Sequence, residues 1–267
     1  MIGERIGKGA TADIFTYGEG KIMKLFYPEL PNELAQKEFE VSNLVMNLGL
    51  PVPKIFSMET IDHRCGIVYE YVKGAALAVE LVKNREAIHK YGVTVAELQH
   101  DVHKKEPSDM PLQKEVLKRH IKAVNLIDDN MKASIINGLD QLPDGGALCH
   151  GDFHPANIMV EGNRFTIIDW MTATMGNPLG DVARTSIILK HVVLPDVFPA
   201  DFRAAFDKLR WDFLDSYLNE YLRLSGASIK EIEAWELPIM AARLIENLTL
   251  EEKKALLAVV RERVALV

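Results

Sequence analysis

His150-Gly151-Asp152-Phe153-His154-Pro155-Ala156-Asn157, followed by Phe165-Thr166-Ile167-Ile168-Asp169-Trp170, is the stretch on which the reading of this chain turns. It supplies an acid, an amide five positions later, and a second acid at the end of an apolar run. Magnesium prefers oxygen ligands and keeps several waters, so one carboxylate and one amide oxygen suit it when phosphates complete the shell. The first acid is then left to orient and deprotonate a hydroxyl. Phosphoryl transfer asks for little beyond positioning and charge neutralisation. Two other readings compete. His150, Asp152 and His154 could ligate a transition metal, but zinc sites want three or four N or S ligands and no further His cluster is evident. An ordinary polar turn would leave Asp152, Asn157 and Asp169 together by coincidence.

Working outward, Ala147–Cys149, Ile158–Glu161 and Phe165–Ile168 read as short strands inside an otherwise helical region. Glu80–Lys105 is predicted mostly helical with an interruption near Tyr91-Gly92, and Gln113–Leu142 is predicted helical too. Helices return from Asp181 to the end of the sequence. Ser228 with Glu231, and Thr249 with Glu252, have the spacing of capping boxes. Before residue 73 the pattern is different. Glu4–Lys8, Ala12–Tyr17, Lys21–Tyr27, Ile55–Glu59 and Gly66–Val72 read as strands around Gly-bearing or polar turns. Pro31 opens a helix that runs to about Leu48 and stops at Gly49. The expectation is an α+β chain of two lobes. Residues 1–72 form a small antiparallel sheet with one helix, and residues 73–267 form a larger, mainly helical lobe.

The first lobe carries its own signals. Gly7-Lys8-Gly9-Ala10-Thr11-Ala12-Asp13-Ile14 follows the glycine-rich pattern G-x-G-x-x-G-x-V, with Ala12 in place of the third Gly. Such loops let backbone N–H groups approach phosphates. Lys24 shares a strand face with Ile22 and Phe26, an odd place for a solvated lysine. On the following helix, at ~100° per residue, Leu34, Val41, Val45 and Leu48 fall within about 80° of Glu38, whereas Glu40 lies about 200° round from it. A buried acid needs a partner, and Lys24 on the facing strand supplies one.

The loop His150–Asn157 has the spacing of the protein-kinase catalytic loop, H-R-D-x-x-x-x-N, with Gly151 in place of Arg. In the form H-G-D-x-H-P-x-N, followed by I-D-W, it resembles the aminoglycoside phosphotransferase and choline kinase family. The resemblance runs from about Ile6 to Ile188 and more weakly beyond. It implies ATP and Mg²⁺, with Asp152 as catalytic base and Asn157 and Asp169 as metal ligands. It also implies phosphates under Gly7 and Gly9, Lys24 on the phosphates with Glu38 holding it, and adenine against the backbone of Glu70–Val72. Gly176–Asp181 resembles the segment whose Asp braces the catalytic loop. The function implied is ATP-dependent phosphorylation of a hydroxyl group on a small molecule. A catalytically silent nucleotide-binding regulator is the rival from another class. A protein kinase is disfavoured, because no Ala-Pro-Glu follows Asp169 and Trp170-Met171 stands where Phe-Gly belongs.

Bulk properties narrow the partners. A formal net charge of -7 argues against a nucleic-acid binder; it weakly favours a cationic acceptor. No apolar run reaches the ~18 residues of a membrane span. Two cysteines cannot build a disulfide framework, so a reduced cytoplasmic setting is expected, and no secretion signal is read at the start. His100 and His103 are expected to pack or brace a loop, and Cys149 to sit inert in a strand. Trp211, Phe213 and Tyr217 read as ordinary core and surface aromatics. Glu233, Glu236 and Glu246 read as a solvated helix face before a substrate-lining one.

Overall fold

The computed structural model describes residues 2–192 and 200–265. Its first five strands are β1 (Ile2–Lys8), β2 (Ala12–Tyr17), β3 (Lys21–Phe26), β4 (Ile55–Ile61) and β5 (Arg64–Glu70), with helix α1 (Asn32–Met46) between β3 and β4. They form one antiparallel sheet in the order β1-β2-β3-β5-β4. Period-two alternation gives the sheet two apolar faces. Ala12, Phe26 and Ile67 pack with Ala35 of α1 on one face, and Met23, Leu25 and Val68 cluster on the other. Each buried Phe, Ile, Met, Leu or Val of these clusters contributes roughly 1.5–3 kcal/mol. Pro31 stands at the N-terminal boundary of α1 in extended geometry, φ -65° and ψ 140°.

The rest of the chain comprises β6 (Ala75–Ala76), α2 (Leu77–Lys83), α3 (Ile88–His103), α4 (Gln113–Ala123), α5 (Asp129–Gln141), β7 (Ala147–Cys149), β8 (Ile158–Glu161), β9 (Arg164–Ile167), β10 (Thr174–Gly176), α6 (Pro178–His191), α7 (Ala200–Ser225), α8 (Ile229–Arg243) and α9 (Leu250–Val264). The capping boxes expected at Ser228 and Thr249 are both formed. The helical reading from Asp181 onward cannot be followed through residues 193–199 and 266–267, which lie outside the described residues.

One interruption expected from the sequence does not occur. Gly92 lies inside α3, which is continuous from Ile88 to His103. A Cβ there would stand 2.7 Å from the Ser216 Cβ and 2.9 Å from the Phe213 carbonyl oxygen. The glycine therefore lets α3 and α7 approach closely and does not break the helix.

Two compact units divide the chain: Met1–Ala78 with Ala156–Thr172, and Val79–Pro155 with Ala173–Val267. This differs from the 1–72 and 73–267 lobes read from the sequence. The reason is pairing: β8 bonds to β6 and β9, and the Ile167 amide donates to the Pro51 carbonyl at 2.8 Å. The hairpin that carries Asn157 and Asp169 at one end thus belongs with the strand-rich unit. The second unit is mainly helical, with α3 packed along α7 and α6 against α8, plus the small β7–β10 ladder.

Candidate active site

In the strand-rich unit, Lys24 sits mid-strand on β3, paired across to Ile14 and Ile67. Its Nζ donates to Glu38 Oε1 at 2.7 Å and Oε2 at 2.9 Å, and to Asp169 Oδ1 at 3.1 Å. Glu38 is buried, at 1% exposure. Glu40 is exposed on the opposite side of α1 and accepts from Gln36. Burial pushes the Lys24 ammonium pKa down, but the carboxylates of Glu38 and Asp169 outweigh it and raise the pKa above the ordinary lysine value. Lys24 is a cation held by two anions.

Asn157 ends a short 3₁₀ turn just before β8, and Asp169 stands two residues past β9. Since Ile158 pairs with Ile167 and the Ile168 amide donates to the Asn157 carbonyl at 2.9 Å, both lie at the same end of one hairpin. Asp169 is in the left-handed region, φ +64°, an uncommon conformation outside glycine that concentrates at functional sites. An amide oxygen and a carboxylate, the latter 42% exposed, make an all-oxygen donor set that fits Mg²⁺ completed by phosphates and water. Among the described residues, no group of three His, Cys, Asp or Glu side chains is arranged to hold a metal.

Gly7 is the penultimate residue of β1, opposite Ile14. At the turn, the Gly9 amide donates to the Ala12 carbonyl at 2.8 Å, and the Gly9 carbonyl accepts from the Tyr27 hydroxyl at 3.1 Å. Ala12 is buried in the sheet core, so the third glycine of the pattern is replaced by a packing residue. Glu70 ends β5 with its amide donating to the Lys54 carbonyl at 2.8 Å; Val72 follows in the segment after the strand, half-buried.

In the helical unit, the loop after β7 is organised from below by Asp181 of α6. Its carboxylate accepts from the amides of His150 at 3.0 Å and Gly151 at 2.7 Å, from Gln99 at 3.0 Å, and from His103 Nε2 at 3.1 Å. Asp181 is fully buried. Burial pushes its carboxyl pKa up, but the hydrogen bonds from His103 and Gln99 and the nearby imidazoles hold it down at about 2. Gly151 adopts φ +76°. A side chain is strained there, which accounts for glycine at this loop position.

Asp152 is gripped at both oxygens: His154 Nε2 stands 3.2 Å from Oδ2, and Arg184 Nη2 donates to Oδ1 at 3.4 Å. Burial pushes its pKa up, but His154 and the charges of Arg184 and His150 hold it well below the carboxylate range. His150 is not disposed as a metal ligand with these two. Its Nδ1 accepts from the Asp152 amide at 3.2 Å, and its ring meets Phe153 edge-on at 5.6 Å.

Several other expectations can be placed. His103 does brace the loop, through Asp181, and its Nδ1 lies 2.6 Å from the Tyr221 hydroxyl. Cys149 is buried in β7. Phe213 and Tyr217 are core residues, and Trp211 is at the surface. The solvated-face reading fails for Glu236. It is 3% exposed and is held by Lys190 at 2.6 Å and Arg263 at 2.8 Å. Glu246 is likewise paired, with Arg184 at 2.6 Å and Arg243 at 3.1 Å.

Sequence reasoning missed Tyr69 and Arg184. Tyr69 donates to Glu38 Oε1 at 3.0 Å. It lies on the same sheet face as Lys24, because Lys24 pairs with Ile67 and Tyr69 is two residues on. Alternation could have placed it, had the β3–β5 register been known. Arg184 carries no local signal; α6 turns it toward Asp152 only once the fold is made.

Residues 3–226 match the sequence profile of the APH phosphotransferase enzyme family. The chain belongs to that family. This phosphotransferase-family chain is 24% identical over 124 residues to the type III effector protein HopBF1 of Pseudomonas syringae pv. syringae (strain FF5), a match covering 44% of this chain and 53% of the effector. It thus spans about half the length of that curated relative. Among solved structures, a thermostable mutant of aminoglycoside phosphotransferase APH(4)-Ia in ternary complex with ADP and hygromycin B superposes with TM-score 0.68 at 14% identity, over 99% of this chain and 93% of that one. Amicoumacin kinase hAmiN in complex with AMP-PNP, Ca²⁺ and Ami superposes with TM-score 0.63 at 15% identity, over 98% and 87%. The fold is protein-kinase-like. Among the described residues, no helix is long and apolar enough to cross a membrane.

Proposed function

We propose that this family member transfers the γ-phosphoryl group of ATP to a hydroxyl of a small molecule. The observation that carries the reading is the Glu38–Lys24–Asp169 chain of ion pairs on the strand-rich unit. A lysine held by a buried acid and a carboxylate beside it is what nucleotide phosphates require. In this reading Gly7 and Gly9 lie against the phosphates, and the backbone of Glu70–Val72 meets the base. Asn157 and Asp169 would hold Mg²⁺, which neutralises charge on the phosphates. Lys24 would turn from Asp169 toward phosphate oxygen while Glu38 keeps its side chain extended. Asp152 would accept the proton of the acceptor hydroxyl, and its oxygens are held in one orientation by His154 and Arg184.

The acceptor class is part of the proposal. Hygromycin B stands with ADP in one structural relative, which makes amine-bearing hydroxyl compounds the first class to try. Glu236 and Glu246 are already engaged by cations, so such an acceptor would be read by other groups. An ATP-consumption screen across aminoglycosides, macrolides, choline-like amines, sugars and amino alcohols, with the phosphorylated product identified by mass, tests the proposal. A product carrying one added phosphoryl group is expected. ATP that binds and is never turned over, whatever hydroxyl compound is offered, would favour the silent regulator instead.

A further inference from the structure

Arg184 touches both Asp152 and a second acid. Its Nη2 donates to Asp152 Oδ1 at 3.4 Å and its Nη1 to Glu246 Oε1 at 2.6 Å. Glu246 is itself gripped on Oε2 by Arg243 Nε at 3.1 Å. The side chain of Arg184 is 17% exposed and that of Glu246 28%, so the pair is partly shielded and little screened by salt. A guanidinium is planar, and bonding by both ends fixes its plane. Glu246 thereby fixes the guanidinium, and the guanidinium fixes the carboxylate.

We infer that Arg184, anchored by Glu246, is the positioning residue for Asp152: it sets the carboxylate plane from which the acceptor hydroxyl is deprotonated. The inference rests on Asp152 acting as base. His154 restrains the other oxygen at 3.2 Å, but both lie in the same loop and would swing together. Arg184, on α6, ties that loop's carboxylate to the helical scaffold. Displacing a reacting group by about 1 Å costs on the order of 10²-fold in rate. Removal of Arg184 is expected to act through turnover and to leave ATP affinity alone.

The test uses the full chain with ATP and two acceptors, the hydroxyl compound found by the screen and water in basal ATP hydrolysis, together with crystal structures of the variants. In Arg184→Ala, kcat falls roughly 10–100-fold while KM for ATP changes less than about twofold, and Arg184→Lys recovers part of the loss. Glu246→Gln, which keeps shape and should fold if Arg184→Ala does not, gives a smaller loss of the same kind. In either variant's crystal the Asp152 carboxylate leaves its single orientation. The pair Asp152→Asn with Arg184→Ala is no slower than Asp152→Asn alone. Multiplying losses, an unmoved carboxylate, or unchanged kcat in both Arg184→Ala and Glu246→Gln would overturn the inference. If Asp152→Asn itself turns over normally, it is the base reading that has failed.

Discussion

Lys24 on β3 and Glu38 on α1 form a bidentate ion pair, with Nζ 2.7 and 2.9 Å from the two carboxylate oxygens, in a site where Glu38 is almost wholly buried. Taking an acid out of water is costly unless it is paired and hydrogen-bonded, and Tyr69 supplies the further bond. The pair fixes the lysine to the helix, so that in the proposed reading its charge is in place before nucleotide arrives.

Glu38→Gln should therefore weaken ATP use substantially, by roughly tenfold or more in kcat/KM, the loss of about one charged hydrogen bond. Glu40→Gln should change it less than about twofold, because an exposed residue away from any such feature contributes little. Steady-state kinetics on both variants checks this; the reverse ranking would mean the phosphates are held by some other arrangement.

Asp169→Ala is expected to abolish magnesium-dependent ATP binding. The same carboxylate that meets Lys24 at 3.1 Å would be the charged member of the proposed oxygen donor set. Titration calorimetry with and without magnesium reads the effect. Binding that keeps its full metal dependence would remove Asp169 and Asn157 from the metal site together.

Asp152→Asn should leave nucleotide affinity near that of the parent and lower turnover by roughly 10²–10⁴-fold, the usual range for a general base. Asparagine fills the same space between His154 and Arg184 but cannot take the proton. Turnover of the screened acceptor, measured with ATP binding, separates the two effects. Near-normal turnover would take Asp152 out of the reaction.

How much of this was readable before folding differs by element. The spacing of Asp152, Asn157 and Asp169 is local, and so is the phase of α1 that turns Glu38 inward, so both could be read from residues alone. Helix starts marked by Pro31, Ser228 and Thr249 were legible for the same reason. Gly92 was misread because its cause is 124 residues away at Ser216, where α7 needs a residue without a side chain. Glu236 looked like a solvated acid because its cations, Lys190 and Arg263, come from α6 and α9. Arg184 and Tyr69 were invisible because long-range pairing, and not spacing, brings them to their acids.

Asp181 gives the pH dependence its sign. Its folded carboxyl lies at about 2, against an ordinary 3.8, so the unfolded chain binds more protons than the folded one between those values. Stability then rises with pH across that window. The contribution is fully present above about pH 4 and is lost as pH falls through about 2; it amounts to about 2 kcal/mol at 1.36 kcal/mol per pKa unit. Asp181→Asn should remove it and leave the amides of His150 and Gly151 with one acceptor oxygen where two served them. Breaking a buried charged network of this kind costs on the order of 3 kcal/mol. Chemical unfolding of both proteins from pH 6 to pH 2 should show a large gap at pH 6 that narrows below pH 4. A gap that stays constant to pH 2 would mean that Asp181 does not carry its charge into the folded loop.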